Sequence, residues 1–502
     1  MSAPLTRIAV FGGGLVGLSA ATALARALPQ AAIELIATPA DPAALADRLP
    51  GTLPALAAFN EAVGFPESDM LRRTGAMHRL ATRFEGWSAD GASWLFGYGA
   101  PGEAPGFIHH WLAASARGDA TPLAEYHPGM TLASVGRFAP GADYALTIDP
   151  AGYRAGLAAL AQHRRVALTH GSIAAIEREG DGIAAIALAD GRRITADLFV
   201  DATGPAAALL SALDPAFEDW GDLLPGDRLL IGEASPALVL YDTVTALDQG
   251  WCWRVPGRAH TTLALTYAAA TPDDEAARLF TDATGQQPAE RLAFRPGRRR
   301  SWIGNVVGFG DAAVVVDPLH ATNLQLAHGA ILRLLHLLPD RRFVSPLRDE
   351  FNRRTATEAG RVHDFLAMHY RFSPFVLSLS KHGSSKRPST SSARMKIGGL
   401  ESISPFWRRA AAASPPDSLG ETLALLGARG RLPHFEEETF QPAEWQMAAI
   451  GLGLLPARID ALALAISAET RRAMLRSARE RVAALVRAAS PHPEALARLL
   501  GR

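Results

Sequence analysis

Residues 7–28, RIAVFGGGLVGLSAATALARAL, decide the fold of this chain. The apolar run at 7–11 predicts a short buried strand, and the Ala- and Leu-rich run from Leu15 predicts a helix. The two are joined by a loop with the spacing Gly-x-Gly-x-x-Gly, made by Gly12, Gly14 and Gly17. Such a loop lets the backbone turn tightly and approach a pyrophosphate at the helix start. A second strand at 33–37 completes a βαβ unit of the size that a dinucleotide-binding fold requires.

The composition indicates a globular chain that works on small molecules. Of 502 residues, 48% are apolar, which is enough for a large buried core. Lys and Arg together number 50, as do Asp and Glu, so no charged footprint favours nucleic acid or an anionic membrane. The single cysteine, Cys252, fits a reducing compartment, so we predict a cytoplasmic protein. His109 and His110 have no carboxylate at ligand spacing, so we predict no metal site.

The end of the second strand lacks the acidic residue that holds a ribose in many dinucleotide-binding proteins. Ala37 and Thr38 stand there, and Glu34 lies in the wrong register. Ribose recognition is therefore weakened or moved. We assign Thr38 to the cofactor site, together with Ile173 further along the chain.

A second glycine-bearing cluster, at 305–331, favours FAD over NAD. Asp311 follows a predicted strand, where its carboxylate can accept from a ribityl hydroxyl. A helix is predicted soon after it, and the N–H groups at its start can face the flavin ring or an anion. The residues that we assign to this helix start are Thr322, Asn323 and Leu324. Two such clusters roughly 300 residues apart indicate FAD.

The segment 372–403 differs in composition from the rest of the chain. It is rich in Ser, has no sustained periodicity, and contains every lysine of the protein: Lys381, Lys386 and Lys396. Because it lacks the apolar pattern that would offset the entropy of ordering, we predict a mobile insertion.

The stretch GWCWRVP at 250–256 carries a resemblance to a known family. Trp251 and Trp253 are predicted to share one face of a strand. The motif resembles Trp-x-Trp-x-Ile-Pro, a hallmark of the FAD-dependent tryptophan halogenases, with Val255 in place of Ile. Further similar stretches are GTLPAL (51–56), VGFPESDMLRRTG (63–75), FVDATG (199–204), GNVVGFGDAA (304–313) and EWQMAAIGLGLLP (444–456).

This resemblance implies an α/β, FAD-binding flavin monooxygenase-like fold: a Rossmann-type dinucleotide-binding module with a substrate sheet, plus a helical C-terminal region. We place the interleaved FAD-binding and substrate module at 1–330 and the helical region at 331–502. The resemblance also implies that reduced FAD, supplied by a separate flavin reductase, reacts with oxygen and a halide ion. The hypohalous acid formed would then reach an aromatic, indole- or tryptophan-like substrate.

Three residues are similar to the family's substrate-binding residues. WLFG at 94–97 resembles the family's His-Pro-Phe-Gly, with Trp94 replacing His and Phe96 retained. Trp445 lies in a stretch that resembles one lining the family's indole pocket. The resemblance therefore implies that Trp94, Phe96 and Trp445 contact the aromatic substrate.

Both catalytic positions of the family are changed in this chain. The family's lysine motif, Phe-Lys-Leu-Gly-Ile-x-Phe, is matched by HRLATRF at 78–84, with Arg79 in the lysine's place. The glutamate of Pro-Leu-Glu-Ser-Thr-Gly is matched by His320 in PLHATN at 318–323. A guanidinium stays protonated and only donates, whereas histidine can serve as a base.

We therefore predict an FAD-dependent halogenase-like oxidoreductase in which Arg79 orients the oxidant and His320 acts as the base. Two alternatives remain open at this point. One is a flavin-dependent monooxygenase that does not halogenate. The other is a flavin-binding protein that has lost its chemistry. A product whose formation depends on halide separates the first prediction from both alternatives.

Overall fold

The computed structural model of the chain describes residues 4–39, 41–88, 91–373 and 404–501. The chain forms two compact units, each built from three segments. The first unit contains Met1–Met77, Leu146–Gly221 and Arg291–Gly360. The second unit contains His78–Ala145, Asp222–Glu290 and Arg361–Arg502.

The described elements after residue 331 are helices, apart from the two-residue strand Ser490–Pro491. The predicted helical C-terminal region is thereby confirmed. The division into residues 1–330 and 331–502 stays a prediction. Apart from Phe372 and Ser373, the predicted insertion at 372–403 lies outside the described residues. No described helix combines the length and the apolar character that a membrane span requires.

A six-stranded sheet forms the centre of the first unit. Its strands follow the order Trp302–Ile303, Val306–Gly308, Leu198–Asp201, Arg7–Phe11, Ala32–Ala37 and Ala167–His170. All neighbours pair in parallel except Trp302–Ile303 with Val306–Gly308. Val10 is paired with Leu35 on one side and Val200 on the other, so the first strand is buried between two others. The near-continuous apolar run of this strand follows from that position.

Two smaller sheets and a set of helices complete the first unit. The sheets contain Ile173–Glu179, Gly182–Leu188 and Arg193–Ile194, and Glu218–Asp219, Gly297–Arg298 and Val314–Val315. The α-helices are Leu15–Ala27, Leu56–Val63, Glu67–Arg73, Pro150–His163, Ala208–Leu213 and Asn323–His336. Three single turns of 3-10 helix lie at Leu45–Asp47, Gly310–Ala312 and Leu319–Ala321.

The second unit is built on a mainly antiparallel sheet. Six of its seven described strands follow the order Arg228–Ala234, Thr261–Tyr267, Gly250–Val255, Tyr241–Leu247, Ala81–Glu85 and Trp94–Gly97. The one parallel pair among these is Tyr241–Leu247 with Ala81–Glu85. Within this sheet, Trp251 and Trp253 are almost fully buried. Their indole N–H groups donate to Tyr370 Oη at 2.8 Å and to Asp242 Oδ2 at 2.6 Å.

Helices make up most of the remaining second unit. They are Phe107–Ser115, Leu123–Tyr126 (3-10), Pro128–Ser134, Asp273–Thr284, Pro405–Ala412, Asp417–Arg429, Pro442–Gly451, Ala461–Ala465, Ala468–Ala488 and His492–Leu499. A short ladder joins Arg137–Phe138 to Ser490–Pro491. Four elements contain a boundary between segments of the two units: Met77–Arg79, Ala145–Thr147, Glu290–Ala293 and Ser345–Arg371.

Candidate active site

The glycine loop of the first unit has no room for side chains. Gly12 has φ +124°, and a Cβ atom there would lie 2.0 Å from the carbonyl oxygen of Ala202. At Gly17 a Cβ atom would lie 1.8 Å from the carbonyl oxygen of Gly12, so helix and loop touch backbone to backbone. The strand, loop and helix predicted from the sequence are confirmed. The assignment of Gly12, Gly14 and Gly17 to FAD stays a prediction.

Asp47 lies at the start of the helix that follows the glycine loop. Its carboxylate accepts a hydrogen bond from the Leu15 N–H, and a Cβ atom on Gly14 would lie 2.2 Å from Asp47 Oδ2. Burial raises the pKa of Asp47 despite this hydrogen bond. Asp47 was not predicted from the sequence, because the fold brings the Leu45–Asp47 turn back to the helix start. No spacing rule for the glycine loop points to it.

Asp311 lies in the single turn that follows the strand Val306–Gly308, as the sequence predicted. It is 5% exposed, and its Oδ2 accepts from the Ala46 N–H at 3.1 Å. Burial raises its pKa to about 7, and the nearby charge of Asp47 adds to the effect. Within the described ranges, Asp311 and two residues at the start of the following helix have buried oxygens without a hydrogen-bond partner. These oxygens are Asp311 Oδ1, Thr322 Oγ1 and Asn323 Oδ1.

These three oxygens fit the donors of a bound FAD. Buried polar atoms are almost always hydrogen-bonded, so orphaned acceptors indicate where a ligand supplies donors. The hydroxyl groups of a ribityl chain and the N–H group of a flavin ring are such donors. The predicted residues Asp311, Thr322 and Asn323 thus satisfy the chemistry of the cofactor, although their contacts with it stay a prediction.

The turn before the helix Asn323–His336 is strained. His320 and Ala321 have φ of +63° and +59°, in the left-handed region that side chains rarely adopt. The Asn323 side chain holds the turn by donating to the Val316 carbonyl oxygen at 2.8 Å. His320 is 4% exposed and lies two residues before Thr322. Strained non-glycine residues cluster at functional sites, so the geometry supports the interpretation of His320 as a functional residue.

Three predicted cofactor residues remain. Leu324 is buried in the first turn of the helix Asn323–His336, and its cofactor role stays a prediction. Thr38 and Ile173 lie elsewhere in the first unit. Thr38 follows the strand Ala32–Ala37 and is partly buried. Glu34 is engaged by the neighbouring strand, since its Oε1 accepts from Thr169 Oγ1 at 2.6 Å. Ile173 packs against the hydrophobic core behind the sheet. The cofactor roles of Thr38 and Ile173 stay predictions.

Arg79 lies in a buried polar cluster of the second unit. Its Nη1 donates to Asp242 Oδ2 at 2.7 Å, and the guanidinium carbon lies 5.6 Å from the centre of the Tyr98 ring. Asp242 also accepts from Thr82 Oγ1 at 2.7 Å and from the Trp253 indole N–H. Burial alone would lower the pKa of Arg79, but the neighbouring Asp242 charge outweighs it and the pKa is raised. Arg79 therefore stays protonated.

Phe96 and Trp445 lie in one aromatic cluster of the same unit. Phe365 links them, with its ring centre 6.1 Å from that of Phe96 and 4.9 Å from that of Trp445. The Phe96 ring also lies 6.5 Å from the Tyr98 ring, which connects this cluster to Arg79. The fold thus brings the predicted halogen-handling position and two predicted substrate residues into one region.

Trp94 packs differently from the other two predicted substrate residues. Its indole ring stacks on Phe84 with centres 4.4 Å apart and planes 9° from parallel. On Gly451, a Cβ atom would lie 2.3 Å from the Trp94 ring, so only glycine allows this packing. Trp94 therefore fills space between a strand and the end of the helix Pro442–Gly451.

Two charged residues beside this aromatic cluster were missed by the sequence analysis. The Arg361 guanidinium lies 4.6 Å from the Trp445 ring centre and is paired with Glu438 at 2.7 Å. Glu444 accepts from the Gly99 N–H at 3.2 Å, and burial raises its pKa to about 7. Both are distant in sequence from Arg79, but Glu444 directly precedes Trp445 and Arg361 lies one helical turn before Phe365, so their proximity to these rings could have been predicted.

Comparison with known proteins decides the family. The family model described as tryptophan halogenase matches residues 7–376 and 401–468. The chain belongs to the tryptophan halogenase family. It is 28% identical to the tryptophan 7-halogenase RebH of Lentzea aerocolonigenes over 414 residues, which cover 74% of this chain and 78% of RebH.

Solved structures of flavin-dependent halogenases share the fold of this family member. BrvH, a flavin-dependent halogenase from Brevundimonas sp. BAL3, is 30% identical with a TM-score of 0.86, over 99% of each chain. A flavin-dependent halogenase from Xanthomonas campestris is 28% identical with a TM-score of 0.87, over 99% of this chain and 98% of that one. The predicted α/β flavin-binding fold and halogenase-type, FAD-dependent enzyme class are thereby confirmed. The residue roles are not decided by these comparisons.

Proposed function

We propose that this family member halogenates an indole-like aromatic ring with a permanently protonated arginine in the place of the family's lysine. The observation that supports the proposal is a chain of contacts within one unit. Asp242 accepts a hydrogen bond from Arg79, the Arg79 guanidinium lies beside the Tyr98 ring, and the Tyr98 ring lies beside the Phe96 ring. A donor aimed at an aromatic region is what the delivery of an electrophilic halogen requires. Halide ion and reduced FAD, the latter supplied by a separate flavin reductase, are the co-reactants in this proposal.

The first unit provides the residues that would hold FAD. Asp311, Thr322 and Asn323 would bind its ribityl chain and ring through their buried oxygens. The backbone N–H groups of the glycine loop would donate to its pyrophosphate. When bound and reduced, FAD supplies the two electrons with which oxygen and a halide ion are converted to hypohalous acid. The chain's own residues then act on that acid and on the ring.

Arg79 orients the oxidant in this proposal. A guanidinium has five N–H donors in a rigid fork, and the contact of Nη1 with Asp242 Oδ2 fixes the orientation of the fork. The oxygen of hypohalous acid can accept from this group, which also stabilises negative charge as the oxygen leaves with its bonding electron pair. Because Arg79 stays protonated, it cannot take the halogen covalently as a neutral amine would.

His320 removes the proton in this proposal. The ring carbon forms a bond to the halogen, and its hydrogen must then leave as a proton to restore aromaticity. A neutral imidazole can accept that proton. The strained turn fixes the backbone of His320 directly before the predicted flavin-binding helix start, which favours a defined position of its side chain.

The Arg79–Asp242 ion pair also favours a second candidate function. A guanidinium that is already paired with a carboxylate is a poor site for halogen transfer. A flavin monooxygenase that does not halogenate needs no such transfer. A flavin-binding protein without turnover is the third candidate.

One assay separates the three candidates. The protein is supplied with FAD, a flavin reductase and NADH, and with a panel of indoles, phenols and tryptophan, in bromide, in chloride and without halide. Mass spectrometry of the products should show a halogenated ring only when halide is present. A hydroxylated product without halide would indicate the monooxygenase, and bound FAD with no product in any condition would indicate the third candidate.

A further inference from the structure

The first unit contains a cavity of about 600 Å³ that is lined by arginines. It lies beside the small sheet of Glu218–Asp219, Gly297–Arg298 and Val314–Val315, and the first turns of the helix Ser345–Arg371. A cavity of this volume can hold a small molecule. Its charged side chains are Arg298, Arg299, Arg300, Arg353, Glu218 and Asp349. The lining thus carries more positive than negative charge.

Most of these arginines are paired with a carboxylate. Arg298 contacts Glu218 at 2.6 Å, and Arg300 lies 3.6 Å from Asp349. Arg353 is also paired, with Glu350 at 2.8 Å.

Arg299 is the exception in this cavity. Within the described part of the chain, it has no carboxylate at ion-pair distance, and its guanidinium carbon lies 4.8 Å from the Phe217 ring centre. Its side chain is partly buried, and burial lowers its pKa, although the more distant charge of Asp201 acts in the opposite direction. Removing a cation from water without a paired anion costs free energy, and a bound anion would offset that cost.

The backbone fixes the position of Arg299 in the cavity wall. Gly297 has φ +154°, and a Cβ atom there would lie 2.3 Å from the Glu218 carbonyl oxygen. This close approach holds the run of arginines against the neighbouring strand. The Arg299 N–H then donates to the Ala313 carbonyl oxygen at 2.8 Å. A cation placed by such rigid elements is already arranged for binding.

We propose that this cavity binds the phosphate or carboxylate group of a small molecule, held chiefly by Arg299. The paired arginines beside it contribute further positive potential. The site is independent of the proposed halogenation, because none of its lining residues is among those assigned to FAD, to the aromatic substrate or to catalysis.

Calorimetric titration of the FAD-loaded protein tests the site, with sodium phosphate and sodium benzoate as separate probes at constant ionic strength. We expect saturable one-site binding of at least one probe at millimolar concentration or tighter. Because one charge-assisted contact is lost, Arg299→Gln should weaken binding about tenfold or more. Arg193→Gln is the matched control: it removes an exposed arginine of the same unit that is paired with Glu177 outside the cavity lining, and it should change the affinity less than about twofold.

A misfolded Arg299→Gln protein would also bind the probes weakly, so a second variant is chosen for which we expect a higher affinity. Glu218→Gln removes the competing carboxylate beside Arg298 while keeping an acceptor for the Trp220 indole N–H, so it should tighten binding several-fold. Binding of phosphate alone or of benzoate alone would identify which anion the site takes. No saturable binding of either probe up to about 10 mM, or equal affinities of the wild type and both Arg299→Gln and Glu218→Gln, would overturn the proposal.

Discussion

Asp242 accepts a hydrogen bond from Arg79 at 2.7 Å, and both side chains are about 1% exposed. Arg79 lies in the stretch that we predict, from the sequence resemblance, to match the family's lysine motif. The carboxylate orients the guanidinium and keeps it protonated, so Arg79 is a hydrogen-bond donor that cannot carry the halogen covalently. The rate of halogenation that we expect of this protein depends on that difference.

The buried pair should be important for stability. Asp242→Asn leaves the Arg79 cation uncompensated, so we expect the free energy of unfolding to fall by about 3 kcal/mol or more in urea titrations. The control is Asp190→Asn, which breaks an exposed ion pair with Arg192 and should leave the unfolding midpoint unchanged. Equal, small effects of the two substitutions would show that the Arg79–Asp242 pair does not form.

The orphaned hydroxyl of Thr322 should matter for FAD and not for folding. Thr322→Val removes an oxygen without a partner in the described structure, so the unfolding midpoint should not fall, while the Kd for FAD should rise several-fold.

The matched control for Thr322 is Thr74→Val. The Thr74 hydroxyl donates to the Met70 carbonyl oxygen at 2.6 Å, so its loss should destabilise the protein by about 1 kcal/mol and leave the Kd unchanged. Fluorescence titration and thermal unfolding measure the two effects. The assignment of Thr322 to FAD is wrong if Thr322→Val binds FAD as tightly as the wild type.

The stability of the flavin-free protein should depend on pH through Asp311. Its pKa is about 7 in the folded protein, against an ordinary value of 3.8. Between these values the folded protein keeps a proton that the unfolded chain has released, so stability falls as pH rises through this window. In urea titrations at about pH 5 and about pH 7.5, Asp311→Asn should lose less stability than the wild type. The same decrease in both proteins would contradict the raised pKa.

His320→Asn tests the base without breaking the turn. Asparagine tolerates the left-handed backbone of His320 better than most residues, so FAD affinity and unfolding should change little. Loss of a general base should lower kcat for halogenation about a hundredfold or more. Single-turnover assays with preformed reduced FAD measure this step. Unchanged kcat in a variant that binds FAD normally would remove His320 from the mechanism.

The sequence predicted those features that depend on residues close together in the chain. The strand, glycine loop and helix at the N-terminus, and the position of Asp311 after a strand, follow from local spacing. The paired burial of Trp251 and Trp253 follows from the two-residue period of a strand.

The residues that define the electrostatics could not be predicted in this way. Asp242 reaches Arg79 across 163 positions, because the strand Tyr241–Leu247 pairs in parallel with Ala81–Glu85. Asp47 returns to the glycine loop through a turn that no motif marks. Such partners depend on the pairing of strands and on the path of the chain, neither of which a local pattern contains.

The most direct test of the account compares halogenation by the wild type and Arg79→Lys, with the same reductase, bromide and aromatic panel. Lysine restores an amine that can take up halogen, whereas displacement of the oxidant by about 1 Å can cost on the order of a hundredfold in rate. We predict slow but measurable halogenation by the wild type and a clear increase in the rate of halogenated product for Arg79→Lys, with FAD affinity unchanged. Rapid halogenation by the wild type that Arg79→Lys does not increase would contradict the account.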